Sequence, residues 1–292
     1  MDWHTARRIP TFRRESWLYV SHQPPDRLVI FVHGFMGKSV KTWRQFDAGG
    51  GVSDWWRKSD MLFFGYSSLS DSVAATSNRL RQLLFDFYPH PPTGPLFLDN
   101  SPIRPHIEMP YKELVIVGHS LGGLVVRCAL LYIAENWHKP HSGAESPPPD
   151  VLSARVFLFS PATGGFRPSG KVALARELGL LRFAELRLNM APAYLELAVN
   201  SATLNSIRTR TRTLLDEFGN EGLQALRPTV LFANPDDVVN YDTYWHDTQH
   251  DSQDGRSHSS VCKPNQSYWA PWYMVEANVA RIRVERDRVH QA

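Results

Sequence analysis

The stretch ELVIVGHSLGGLVVRCALLYIA, Glu113 to Ala134, constrains this chain more than any other. An apolar, β-branched run leads into Gly118-His119-Ser120-Leu121-Gly122, and an apolar pattern of helical period follows it. A serine at the sharp turn from strand to helix sits on strained backbone, and glycines two before and two after it remove Cβ atoms that would clash there. The hydroxyl is then exposed at the carboxyl end of the strand. The following helix points unpaired N–H groups and the positive end of its dipole at the same place. The pattern predicts Ser120 as a nucleophile for acyl transfer and the N–H of Leu121 as one donor to the oxyanion.

A tetrahedral intermediate needs a second donor from another loop. Directly after the apolar run Leu28 to Val32 comes HGFMG, His33 to Gly37, whose glycines let the backbone bend toward the nucleophile. The N–H of Phe35 is the expected second donor.

A hydroxyl is a poor nucleophile at neutral pH, so a base must take its proton, and imidazole has the best matched pKa. The chain order nucleophile, acid, histidine removes every histidine before Ser120, and of the later ones His246, His250 and His258 stand within range of the acid loop. The acid belongs just beyond a strand, and TVLFANPDDVVN, Thr229 to Asn240, offers Asp236 and Asp237. Asn-Pro-Asp-Asp is also strong turn chemistry, which gives Asp237 a purely structural reading. His119, inside the serine motif, reads as a packed, hydrogen-bonded residue pointing away from the reacting oxygen.

Buried strands are predicted at Leu28 to Val32, Met61 to Phe64, Leu114 to Val117, Val156 to Phe159 and Val230 to Phe232. Between them Val73, Leu80, Leu84 and Phe87 share one helical face, as do Leu121, Leu124, Val125, Cys128 and Tyr132. Alternation of strand and helix implies a mostly parallel sheet covered on both faces, in one domain spanning 1–292. Proline-rich polar stretches from Pro89 to Pro110 and Lys139 to Asp150 read as surface excursions. From 170 to 222 the pattern turns helical without a strand and is expected to form a cap. A last helix is expected from Trp272 to about Arg288, with Val275, Val279 and Ile282 on its inner side.

The net charge of +3 is spread along the chain, with no basic block to serve as a nucleic-acid footprint. Arg208, Arg210 and Arg212 alternate with threonines and read as a solvated face. Two cysteines, Cys128 and Cys262, are too few for a disulfide framework and lack zinc spacing, so reduced thiols and a cytoplasmic location are expected. No metal or other cofactor is implied: the Asp and His residues between Asp242 and His258 show no recognisable ligand spacing. Neither a signal peptide nor a membrane-spanning run is expected, which leaves peripheral contact with a membrane open. Trp43, Trp55 and Trp56, around the hinge Gly49 to Gly51, read as core more readily than as an acyl pocket.

Four stretches resemble the lipase-like branch of the α/β-hydrolases that includes the GPI-inositol deacylases. They are VHGFMG from Val32, VGHSLGG from Val117, the Asp-x-Val-Val beginning at Asp236, and SHSSVCKP from Ser257 to Pro264. FSPATGGF from Phe159 is a weaker match. The resemblance implies an α/β-hydrolase fold, selects His258 as the base through its position ahead of Cys262-Lys263-Pro264, and prefers Asp236 as the acid. The expected function is hydrolysis of a small-molecule or lipid carboxylic ester, with an apolar acyl group, through an acyl-serine. A non-catalytic interaction module on the same fold, and acyl transfer to an alcohol, are the alternatives. The segment 170–222 matches nothing in the family, so the resemblance leaves the substrate open.

Overall fold

The computed structural model describes residues 3–11, 14–51, 53–138, 147–167, 170, 173, 191–218 and 222–276. Its main strands are β1 (His4–Thr11), β2 (Arg14–Ser21), β3 (Arg27–Val32), β4 (Ser59–Phe64), β5 (Glu113–His119), β6 (Arg155–Phe159), β7 (Thr229–Asn234) and β8 (Gln249–Asp254). They form one sheet in the order β1-β2-β4-β3-β5-β6-β7-β8. β2 runs antiparallel to both of its neighbours, and every pairing from β4 to β8 is parallel. This strand order and polarity, with helices on the faces, is the α/β-hydrolase fold.

The five predicted strands occupy the centre of the sheet, and their side chains divide by parity between two cores. Leu28, Ile30, Leu62, Ile116, Leu158 and Phe232 face one way, toward helices α1 (Val73–Phe87) and α2 (Leu121–His138). Ser72 caps α1 by accepting from the Ala75 N–H at 3.1 Å, and the predicted face of Val73, Leu80, Leu84 and Phe87 is buried. α2 is buried through most of its circumference, as its nearly uncharged sequence requires, because it packs on the sheet and on neighbouring helices.

On the other face Val29, Phe31, Phe63, Val117 and Leu231 meet an aromatic layer of Trp43, Phe46, Trp55, Trp56 and Trp272. Phe31 stacks on Phe63 with ring centroids 5.0 Å apart, and Trp55 meets Trp272 at 4.6 Å. The tryptophans flanking Gly49 to Gly51, a stretch that ends a 3-10 helical segment, are therefore core. Burying such rings contributes roughly 2–3 kcal/mol each and fixes the loop that follows β3.

Three strands are absent from the sequence reading. β1 and β2 form an antiparallel ribbon of mixed polar and apolar residues at one edge. β8 is QHDSQD, a wholly polar edge strand within the Asp- and His-rich run from Asp242 to His258, whose sequence predicts no strand. Helix α3 (Pro192–Glu196) and helix α4 (Ala202–Phe218) lie in the expected cap. α4 packs on α2 as a flanking helix, with Arg210 paired to Glu135, while 171–172, 174–190 and 219–221 lie outside the described residues. Glu196 of α3 accepts from the N–H of Val73 at 2.7 Å and so caps α1 as well. Helix α5 (Ala270–Glu276) buries Val275 as expected; the predicted continuation from 277 also lies outside the described residues.

Candidate active site

The parallel strands β3, β5, β6 and β7 end at one edge of the sheet, and the loops leaving them converge there. Ser120 stands between β5 and α2 with φ of +54°, a left-handed conformation that a non-glycine residue adopts at a cost. Tertiary contacts hold it: the Ser120 N–H donates to the Phe159 carbonyl at 3.0 Å, and its carbonyl accepts from Ala162 at 3.1 Å and Gly123 at 3.0 Å. The glycines are needed for close approach. A Cβ on Gly122 would overlap the carbonyl oxygens of Val32 and His33, and one on Gly118 would lie 2.9 Å from the Cα of Gly123. The turn Ser160-Pro161-Ala162, directly after β6, is thus the clasp on the serine turn.

The structure brings Ser120, His258 and Asp236 into one hydrogen-bonded chain. His258 Nε2 is 2.9 Å from Ser120 Oγ, and His258 Nδ1 is 2.9 Å from Asp236 Oδ2. All three residues are buried. The second carboxylate oxygen of Asp236 accepts from the N–H groups of Val238 and Val239, both at 3.0 Å. Burial pushes the Asp236 carboxyl upward, but the His258 hydrogen bond and charge, the Val239 N–H and the Ser160 hydroxyl outweigh it, so its pKa lies below the ordinary value. Asp237 is exposed, and His250 lies in the edge strand β8. His246 meets Asp216 at 2.8 Å.

The loop after β3 comes up against the serine. A Cβ on Gly34 would lie 2.9 Å from both Ser120 Cβ and His119 Nδ1, so only glycine fits there. Phe35 is buried, meets Phe166 edge to face at 6.4 Å, and lines the cleft that contains Ser120 and His258. Leu121 opens α2, where first-turn N–H groups have no intrahelical acceptor. The loop is fastened by residues that carried no sequence signal. Tyr66 donates to the His33 carbonyl at 2.6 Å and stacks on the His33 ring at 4.3 Å, and Ser68 accepts from the Met36 N–H at 2.8 Å.

His119 lines the same cleft, with its ring 4.9 Å from that of His258, and its hydrogen bond goes to the main chain rather than to the Ser120 hydroxyl. Its Nε2 donates to the His258 carbonyl at 2.8 Å. Burial, followed by the neighbouring His258, lowers its pKa to about 3, which keeps it neutral and a donor through one nitrogen.

The cleft above Ser120 has a volume of about 250 Å³, and a larger one of about 550 Å³ lies across the loop, sharing Met36, Gly37 and Lys38. The acidic run after β7 is taken up by arginines: Asp247 pairs with Arg127 at 2.8 Å and Asp242 with Arg208. Arg210 and Arg212 pair with Glu135 and Asp216, so all three arginines of α4 are engaged. Among the described residues there is no cluster of metal-ligating side chains and no helix long and apolar enough to cross a membrane.

No protein-family model and no curated protein matches the chain. Among solved structures it is similar to the mature lipase BlEst2 of Bacillus licheniformis, at 17% identity and a TM-score of 0.46 over 87% of this chain and 91% of that one. Est1E of Butyrivibrio proteoclasticus is similar at 15% identity and a TM-score of 0.45, over 97% and 99% of the two chains. A mutant of the N-acyl homoserine lactonase AidH in complex with N-hexanoyl homoserine is similar at 15% identity and 0.48, over 95% of each chain. The fold itself is read from the strand order and polarity.

Proposed function

We propose that the chain is a serine hydrolase that cleaves a carboxylic ester through an acyl-Ser120 intermediate. The observation that carries this reading is the unbroken hydrogen-bonded chain from Ser120 Oγ through both nitrogens of His258 to Asp236, at 2.9 Å on each side. In the proposed cycle His258 Nε2 takes the Ser120 proton as Oγ attacks the ester carbonyl. Asp236 holds the ring in the tautomer with its proton on Nδ1 and stabilises the imidazolium that forms. The N–H groups of Phe35 and Leu121 receive the developing oxyanion, and His258 returns the proton to the departing alkoxide. Water, activated by the same imidazole, then releases the acid.

The choice of an ester rests on the motifs shared with the lipase-like branch, as does the relation to the GPI-inositol-deacylase-like proteins; the apolar acyl group rests on the cap expected at 170–222, since Trp43, Trp55 and Trp56 are core. The cytoplasmic location is part of the same proposal, supported by Cys128 and Cys262, which are buried and unbridged.

Hydrolysis of p-nitrophenyl esters of graded acyl length tests the reading. Wild type is expected to turn over at least one of the series, and Ser120→Ala and His258→Ala to lose roughly a thousandfold or more in kcat. A folded wild-type protein inert to the whole series, and unmodified by a fluorophosphonate, would instead be a binding module on this fold.

A further inference from the structure

The cleft that holds Ser120 and His258 has three charged side chains in its wall besides the reacting groups, and all three are lysines: Lys38, Lys41 and Lys263. No aspartate or glutamate lines it. Among the described residues none of the three ammonium groups has a carboxylate partner, whereas Lys58 and Lys112 pair with Asp54 and Asp26. The whole chain carries 32 lysines and arginines against 29 aspartates and glutamates. An excess of three cations, equal to that of the entire chain, is therefore gathered at one small concavity.

The backbone beneath these lysines is fixed. Lys38 and Thr42 exchange hydrogen bonds, Lys38 N–H to Thr42 Oγ1 and Thr42 N–H to the Lys38 carbonyl, both at 3.2 Å. Lys41 lies two residues before the fully buried Trp43, and Lys263 lies between the buried Cys262 and Pro264. Lys263 is half-buried, and its charge is felt inside the site, where it helps to keep His119 neutral. A concave wall of one sign raises the local concentration of an oppositely charged group and orients it.

We infer that the substrate bears an anionic group, phosphate or carboxylate, close to the scissile ester, and that Lys38, Lys41 and Lys263 select it. This rests on the ester-hydrolase reading. It adds to that reading a charge requirement, met on the outer wall of the cleft while the ester carbonyl meets Ser120. The neighbouring larger cleft shares Lys38, so one cation stands between the space over the serine and the space for the remainder of the substrate.

Two matched ester pairs test it and separate the two anion types: soluble dihexanoyl phosphatidate against dihexanoylglycerol, and monobutyl succinate against dibutyl succinate, each followed by proton release. The expected result is a kcat/KM at least tenfold higher for the anionic member of one pair or both, falling with added salt. The pair that shows the preference identifies phosphate or carboxylate. Glutamine at Lys38, Lys41 or Lys263 is expected to lower the anionic-to-neutral ratio roughly fivefold to tenfold each, through KM. Lys58→Gln and Lys112→Gln serve as controls and are expected to leave the ratio unmoved. Equal or poorer turnover of both anionic members, or a preference that survives replacement of all three lysines, overturns the inference while leaving the esterase reading intact. Turnover of the p-nitrophenyl series with none of the four esters hydrolysed overturns the charge requirement alone; inertness toward the four esters and the p-nitrophenyl series together overturns both.

Discussion

His119 donates from Nε2 to the main-chain carbonyl of His258 at 2.8 Å, so the residue before Ser120 holds the loop that carries His258. Motif glycines and serine account for the turn itself; this bond joins the turn to a segment 139 residues further along the chain.

His119→Ala is expected to loosen His258 and lower kcat roughly tenfold to a hundredfold with little change in KM. His119→Gln, which retains an N–H donor, should recover part of the loss. A positioning role also predicts that the acid limb of the kcat/KM profile shifts in the alanine variant. A purely structural role would lower thermal stability and leave that limb in place.

Asp236 and Asp237 are adjacent in sequence and opposite in exposure. Asp236→Asn removes the carboxylate that fixes the His258 tautomer and is expected to lower kcat by orders of magnitude, though less than Ser120→Ala or His258→Ala. Asp237→Asn should stay within about twofold of wild type. Steady-state kinetics of the two variants decides the assignment, and the reverse order would refute it.

Gly122→Ala places a methyl group against the carbonyl oxygens of Val32 and His33. Backbone cannot yield there as a side-chain tip could, and the strand it would displace leads into the loop of Phe35. The expected outcome is loss of activity together with a stability loss of about 2 kcal/mol or more, measured by urea unfolding. A fully active, fully stable alanine variant would contradict the close approach of β3 and α2.

Two buried histidines make stability depend on pH in a definite direction. Burial lowers the pKa of His33 to about 4 and of His119 to about 3, against 6.5 in an open chain. Above about pH 6.5 neither ring takes up a proton in either state. As pH falls below that value the unfolded chain binds protons that the native chain refuses, so stability declines progressively toward pH 3–4. Asp236, held below its ordinary pKa, adds loss in the same direction when it is finally protonated. Thermal unfolding at pH 7.5 and 5.0 should show a lower midpoint at the acid value, and a smaller drop in His119→Gln. An unchanged midpoint would place these rings in contact with water.

The centre of the sheet was legible because β3 to β7 are buried on both faces and read as unbroken apolar runs. The edges were not: β8 needs only main-chain pairing with β7, and neither Gln249 nor Asp254 has to be apolar to supply it. Ser120 and the acid loop follow from local chemistry at the ends of strands. His258 and Asp236 were singled out from their rivals by resemblance, since spacing alone left three histidines and two aspartates. Tyr66, Ser68 and Ser160 could not be foreseen, because each acts through a partner distant in sequence, and a tyrosine or serine after a strand carries no mark of that.

The acyl-enzyme is the central claim, and it has a mass. Wild type quenched in acid during turnover of a hydrolysed ester, then digested and analysed by peptide mass spectrometry, should carry the acyl group on the peptide containing Ser120, and Ser120→Ala should carry none. Acylation at another residue, or turnover that persists undiminished in Ser120→Ala, would contradict the account.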